Sequence, residues 1–218
     1  MSRGVIFDMD GVLVDTARPH FESWLAVARR RGVHITWEQF HDTFGRPNRD
    51  IIPVLFGPHV SAREIQELDD SKEAAFRDIV RRRIEPLPGV VELIEDLRCH
   101  GFRLAVGSSA PPENIRLVLE ALGVSDRFHA VICAKDVARG KPAPDVFLKA
   151  AEALGLEPRR CLVIEDAPAG VQAAHAAGMR CLALTTTRPA EDLKEADRVV
   201  TSLTQFSAQD AAAMLGED

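Results

Sequence analysis

The chain has 218 residues, 46% of them apolar and 28% charged, and 33 acidic against 27 basic side chains leave a net charge of −6. This composition fits a globular protein and excludes a disordered one, and the acid excess without a basic tract argues against nucleic acid as the principal partner. No apolar run approaches the roughly 18 residues of a membrane-spanning helix. The N-terminus lacks the layout of a secretory signal, so a cytoplasmic setting without a membrane partner is expected. Cys99, Cys133, Cys161 and Cys181 lack the short spacing of a zinc site. Cys161 and Cys181 each open an apolar run and read as small buried hydrophobes in a reducing compartment.

Gly4-Val5-Ile6-Phe7-Asp8 is a short apolar run closed by Asp-x-Asp-Gly, the pattern of a buried strand ending in a turn. The stretch 15–85 then shows helical periodicity and no convincing strand. Phe21, Trp24, Leu25 and Ala28 recur at helical spacing. Phe40 and Phe44, then Ile51, Ile52, Leu55 and Phe56, mark short helices, and Ile65, Leu68, Ala75, Phe76 and Ile79 a longer one. Leu87-Pro88-Gly89 ends the block. Apolar runs at 102–107, 130–133, 161–165, 179–184 and 198–200 then alternate with helical patterns at 90–99, 113–122, 144–154 and 169–177. Those helices stop at Gly101, Gly123, Gly155 and Gly178, as helices commonly do. A last helix is expected around Ala211 to Ala213. Buried strands alternating with helices predict an α/β fold with a doubly wound parallel sheet. Its core would comprise 1–14 and 86–218, with 15–85 inserted as a small all-helical cap.

In such a sheet, ligands bind beyond the carboxyl ends of the strands. Those ends carry Asp8 and Asp10, Ser108 and Ser109, Glu165 and Asp166, with Lys141 in the loop after the 130–133 run. Asp8 and Asp10, two apart, can face one side of an extended segment, where their mutual repulsion requires a positive partner or a held proton. With a hard divalent cation, Asp8 could serve as ligand and nucleophile, and Asp10 could carry a proton. Each feature also has an ordinary reading. Asp-x-Asp-Gly and Glu165-Asp166 can be plain acidic turns, Ser108 a helix N-cap, and Lys141 a solvated loop residue.

These residues, taken jointly and in order, resemble the haloacid dehalogenase superfamily. Phe7-Asp8-Met9-Asp10-Gly11-Val12-Leu13-Val14-Asp15-Thr16 resembles its first motif and Ser108 its second; Gly140-Lys141-Pro142-Ala143-Pro144 resembles the third, and Ile164-Glu165-Asp166-Ala167-Pro168-Ala169-Gly170-Val171 the fourth. The resemblance implies a Mg²⁺-dependent phosphotransferase that works through an aspartyl-phosphate on Asp8, with Asp10 as general acid and base. It implies metal binding by Asp8, the main-chain carbonyl of Asp10, and Asp166, with Glu165 a direct or neighbouring ligand. Ser108, Ser109 and Lys141 would hold the phosphoryl oxygens. The founding dehalogenases lack the second Asp of the first motif, so Asp10 points to phosphate esters.

Within the superfamily the chain is similar to the β-phosphoglucomutase-like branch. Thr16, His20 and Trp24 match its first cap helix, and Lys72 falls where the mutase carries a phosphate-contacting lysine. Two segments depart. The mutase's Ser-Ala-Ser-Lys-Asn is here Ser108-Ser109-Ala110-Pro111-Pro112, and its Gly-x-Ser-Arg loop is Gly45-Arg46-Pro47-Asn48-Arg49, leaving Arg46 and Arg49 as candidate anion contacts. The expectation is therefore a phosphatase for a small phosphorylated metabolite, with a sugar phosphate preferred and a sugar phosphomutase as the alternative. A monomer or weak dimer is expected. A non-catalytic phospho-receiver also uses Asp, Ser or Thr, Lys and Mg²⁺ on a doubly wound core, but it leaves the helical insertion unexplained.

Overall fold

The computed structural model describes residues 2–43 and 46–216. Phe44, expected in a short helix, and Gly45 of the cap loop lie outside the described residues. Strand β1 (Gly4–Phe7) is followed by helices α1 (Ala17–Arg31), α2 (Trp37–His41), α3 (Asn48–Phe56) and α4 (Ala62–Arg82). Then come α5 (Val90–Cys99), β2 (Arg103–Gly107), α6 (Pro112–Ala121), β3 (Ala130–Ile132), α7 (Asp145–Leu154), β4 (Cys161–Glu165), α8 (Pro168–Ala176), β5 (Arg180–Leu184), β6 (Arg198–Val200) and α9 (Ala208–Leu215). The chain divides into two compact units, Met1–Asp15 with Glu85–Asp218, and Thr16–Ile84.

The first unit is the expected doubly wound α/β fold. Its strands pair in parallel in the order β3-β2-β1-β4-β5-β6. Val5, Ile6 and Phe7 of β1 and Leu162, Val163 and Ile164 of β4 are completely buried, which is why these strands read as unbroken apolar runs. One face is covered by α7 and α8, whose Phe147, Ala150, Ala173 and Ala174 join Ile6, Val163 and Cys181 in one apolar cluster. Burial of a side chain such as Phe147 is worth roughly 1.5–3 kcal/mol. Helix α7 stops at Gly155, whose φ of 66° is left-handed and lets its N–H turn back to the carbonyls of Ala151 and Glu152.

Local hydrogen bonding marks three of the element boundaries. Strand β1 ends at Phe7, although Asp8 N still donates to the Ile164 carbonyl at 3.0 Å. The run at 130–133 leaves the sheet at Cys133, whose N–H is taken by the Asp136 carboxylate at 2.8 Å. The tail helix is longer than its alanines suggest, because Ser207 and Asp210 form a reciprocal capping box at its start. Cys133, Cys161 and Cys181 are buried thiols and Cys99 is exposed.

Among its described residues, the second unit is all helical. Phe21, Trp24, Val27 and Ala28 of α1 pack with Phe40, Ile51, Ile52, Leu55 and Leu68 to form its core. Capping boxes at Thr36/Gln39 and Ser61/Glu64 start α2 and α4.

Candidate active site

The order of strands reverses direction at β1: the chain proceeds to β2 on one side and later to β4 on the other. In open α/β sheets, ligands bind at such a switch point, beyond the carboxyl ends of the strands. The register pairs Phe7 with Ile164, so Asp8 emerges beside Glu165 and Asp166. On the other side, Ser108 N donates to the Ile132 carbonyl at 3.0 Å, placing Ser108 at the same edge.

Four charged side chains meet there. Lys141 Nζ lies 2.9 Å from Asp8 Oδ1 and donates to Glu165 Oε1 at 2.6 Å. It also sits 4.8 Å above the centre of the Phe147 ring, so the loop lysine is built into the core rather than solvated. Glu165 Oε2 accepts from the N–H groups of Asp166 and Ala167 at 2.8 and 3.0 Å. The Asp166 carboxylate accepts from the Thr187 hydroxyl. Asp8, Glu165 and Asp166 each bring a carboxylate oxygen within 4.8 Å of the others, and all three are buried.

Two glycines make this density possible. At Gly170, in the first turn of α8, a Cβ would lie 1.8 Å from Glu165 Oε1. Gly11, at φ +75°, faces Asp166, and a Cβ there would lie 1.9 Å from Oδ2. The left-handed backbone at Gly11 carries the chain through the tight turn after Asp10, where Gly11 N donates to the Val14 carbonyl at 2.8 Å.

The charges do not balance. Three buried carboxylates face one ammonium. Burial, helped by Glu165 and Asp10 and opposed by Lys141, pushes the Asp8 carboxyl up to about 7. Burial also raises Asp166, reinforced by Glu165 and Asp8 and opposed by the Thr187 hydrogen bond and Lys141. Burial works to lower Lys141, yet the Asp8 and Glu165 carboxylates overcome it and hold its ammonium above the usual range. On protein groups alone, burial and mutual repulsion favour the protonated form of Asp8 and Asp166. Its donor set is entirely oxygen, without His or Cys, and suits a hard divalent cation such as Mg²⁺.

The other sequence candidates fall in distinct places. Asp10 is half-buried and its carboxylate stands outside the group of three, although close enough to raise Asp8. Ser108 is not a helix cap: α6 is capped at Pro111 without a side-chain bond, and Ser108 Oγ accepts from Ala110 N at 3.1 Å. Ser109 is exposed. In the helical unit, Thr16 and Trp24 are buried, and Arg46 and Arg49 are exposed. Lys72 is buried, with Nζ 2.7 Å from Glu73 Oε1 and 2.8 Å from His20 Nδ1, and His20 stacks on Phe76.

Sequence reasoning passed over Thr187 and the packing roles of Gly11 and Gly170. Thr187 follows β5 by three residues, so extending the strand-end reading to β5 would have reached it.

Comparison with known proteins identifies the family. A family model described as haloacid dehalogenase-like hydrolase matches residues 3–178. The validoxylamine A 7'-phosphate phosphatase of Streptomyces hygroscopicus subsp. limoneus is 33% identical over 208 residues, covering 94% of this chain and 96% of the relative. The fructose-1-phosphate phosphatase YqaB of Escherichia coli is 36% identical over 184 residues, 81% of this chain and 93% of its own. Among solved structures, a β-phosphoglucomutase from Clostridium difficile superposes with a TM-score of 0.87 at 28% identity, covering 99% of this chain and 97% of that one. With its family model spanning most of the core and relatives matched nearly end to end, the chain belongs to the haloacid dehalogenase-like hydrolases and is an enzyme of that family.

Proposed function

We propose that the protein is a Mg²⁺-dependent phosphatase for a small phosphorylated metabolite, with a sugar phosphate as the preferred class. The observation that carries this reading is the unbalanced buried cluster of Asp8, Glu165 and Asp166 around Lys141. Asp8, the main-chain carbonyl of Asp10 and Asp166 would hold Mg²⁺, with Glu165 beside them. When bound, the cation supplies positive charge against the phosphoryl oxygens and the carboxylates.

The chain's own groups account for the remaining steps. An Asp8 carboxylate oxygen attacks phosphorus as the ester P–O bond breaks, forming an aspartyl-phosphate. Asp10 gives its proton to the departing alkoxide. It then takes a proton from water, whose oxygen attacks phosphorus and releases inorganic phosphate from Asp8. Such acid–base help is worth about 10²–10⁴ in rate. Ser108 and Ser109 offer hydroxyls to the phosphoryl oxygens. Lys141 neutralises charge on the phosphoryl group and Asp8 together, a matter of positioning and electrostatics.

Selectivity is assigned to the helical unit. Arg46 and Arg49 are exposed and suit contact with an anionic substrate, whereas Thr16, Trp24 and Lys72 are buried and His20 is half-buried. The names of two relatives, a fructose-1-phosphate phosphatase and a validoxylamine phosphate phosphatase, support a carbohydrate-like substrate. A sugar phosphomutase is the second reading, favoured by the structural match to a β-phosphoglucomutase. It is disfavoured by Pro111 and Pro112, which stand where the mutase carries Lys and Asn. Membership of an enzyme family sets the phospho-receiver aside.

The test is phosphate release from a panel of phosphorylated sugars with Mg²⁺, by wild type and Asp8→Asn. Wild-type turnover that Asp8→Asn loses is expected. If β-glucose 1-phosphate with a trace of its 1,6-bisphosphate yields glucose 6-phosphate and no free phosphate, the phosphatase reading gives way to the mutase.

A further inference from the structure

Asp166 has an unusual setting for a cation ligand. It is 4% exposed, and its Oδ2 is enclosed from two directions. On one side the Thr187 hydroxyl donates to it and also lies 3.3 Å from the Asp166 main-chain oxygen. On the other side is the bare Cα of Gly11, where a Cβ would stand 1.9 Å from Oδ2 and 3.1 Å from Thr187 Cγ2. The threonine is delivered by the sheet. Strand β5 pairs beside β4, with Ala183 opposite Glu165, so the loop leaving β5 passes over the end of β4. A carboxylate left to itself there could rotate about its terminal bond, since that torsion is broad. With Oδ2 held by Thr187 and walled by Gly11, the carboxylate keeps a single orientation.

We propose that Thr187 is a positioning residue: its hydroxyl fixes Asp166 for the divalent cation, without itself touching cation or substrate. The hydroxyl orients the Asp166 carboxylate before the cation arrives. Partners of this kind commonly carry a 10- to 100-fold share of metal affinity or activity. The inference deepens the proposed function and rests on its reading that Asp166 binds the cation.

The experiment is a calorimetric titration of MgCl₂ into wild type, Thr187→Val, Thr187→Ser and Asp166→Asn, with phosphatase rates measured across Mg²⁺ concentration. Valine keeps the shape of threonine and removes the hydroxyl; serine keeps the hydroxyl and removes the methyl. Thr187→Val should bind Mg²⁺ about 10- to 100-fold more weakly, with kcat recovering substantially at saturating Mg²⁺. Thr187→Ser should bind within about threefold of wild type, and Asp166→Asn should lose binding. Wild-type affinity in Thr187→Val overturns the inference and leaves the metal reading standing. Equal weakening in the Val and Ser variants also overturns it, because the effect then belongs to the methyl group. A wild type that binds no Mg²⁺ overturns both.

Discussion

Each unit of the molecule buries a lysine against carboxylates, and the two clusters differ in their arithmetic. In the helical unit, Lys72 is 2% exposed and pairs with Glu73, with the rings of Trp24 and Phe76 at 5.7 and 5.3 Å. Glu73 also accepts from Asn48 Nδ2 at 2.7 Å, an amide shared with the half-buried Asp69 at 2.6 Å, so among the described residues one buried ammonium meets one buried carboxylate. At the sheet edge, Lys141 meets Asp8 and Glu165, and Asp166 brings a third carboxylate to the same place. A buried ion pair alone is weak evidence for function, because desolvation offsets much of its attraction. An excess of two buried negative charges is different: it stays ionised only with a further cation. The contrast separates a pair that organises a helix bundle from a cluster prepared for a ligand.

The largest expected effect comes from removing one charge of the unbalanced cluster. Asp8→Asn should lower turnover by at least about 10⁴-fold. Without metal at pH 8, the same variant should unfold in urea no more readily than wild type, because it relieves repulsion. A large loss of stability there would break the comparison.

Substituting each lysine separates the clusters directly. Lys72→Met and Lys141→Met should each cost about 3–5 kcal/mol by leaving a buried carboxylate uncompensated. Urea unfolding with and without MgCl₂ distinguishes them: Mg²⁺ should recover part of the Lys141→Met loss and none of the Lys72→Met loss. Equal responses would deny the sheet edge its special status.

The pH dependence of metal-free protein is a smaller and sharper test. The folded protein holds the Asp8 proton up to about 7, against an ordinary 3.8, and Asp166 is raised in the same direction. Folded chains therefore bind more protons than unfolded ones across that interval. Their contribution to stability is complete below pH 3.8 and is lost as pH rises through about 7. Unfolding temperature should accordingly fall between pH 5 and pH 8 without metal, relative to Asp8→Asn. Mg²⁺ needs ionised carboxylates, so its stabilisation, about 2.7 kcal/mol at one hundred times Kd, should be present at pH 8 and diminished at pH 5. The smallest change is Gly170→Ala. It forces the Glu165 carboxylate to shift, costs about 1–3 kcal/mol, and should lower activity by disturbing Lys141.

Much of this was written locally. Asp8, Glu165 and Asp166 follow apolar runs, and strands buried on both faces must lie in a covered parallel sheet, which aligns their ends. Those residue types and positions therefore pointed to the carboxyl edge before any distance was known. Phe21, Trp24 and Ala28 likewise declared a helix face, because burial on one side of a helix imposes its period.

Other assignments depended on neighbours that no local pattern names. Ser108 had the chemistry of a cap, and only the path of the loop to Pro111 took that role away. Lys141 had the surroundings of a solvated loop residue until Phe147 and the more distant Glu165, 24 residues on, closed around it. Thr187 stands 21 residues from the carboxylate it holds, and Gly11 reaches the same oxygen from the opposite end of the chain. The sequence by itself determined which groups would stand at the sheet edge, since hydrophobic periodicity is a local property. Only the tertiary structure decided which of them touch, because register, helix approach and the room left by a missing Cβ arise from packing between distant segments.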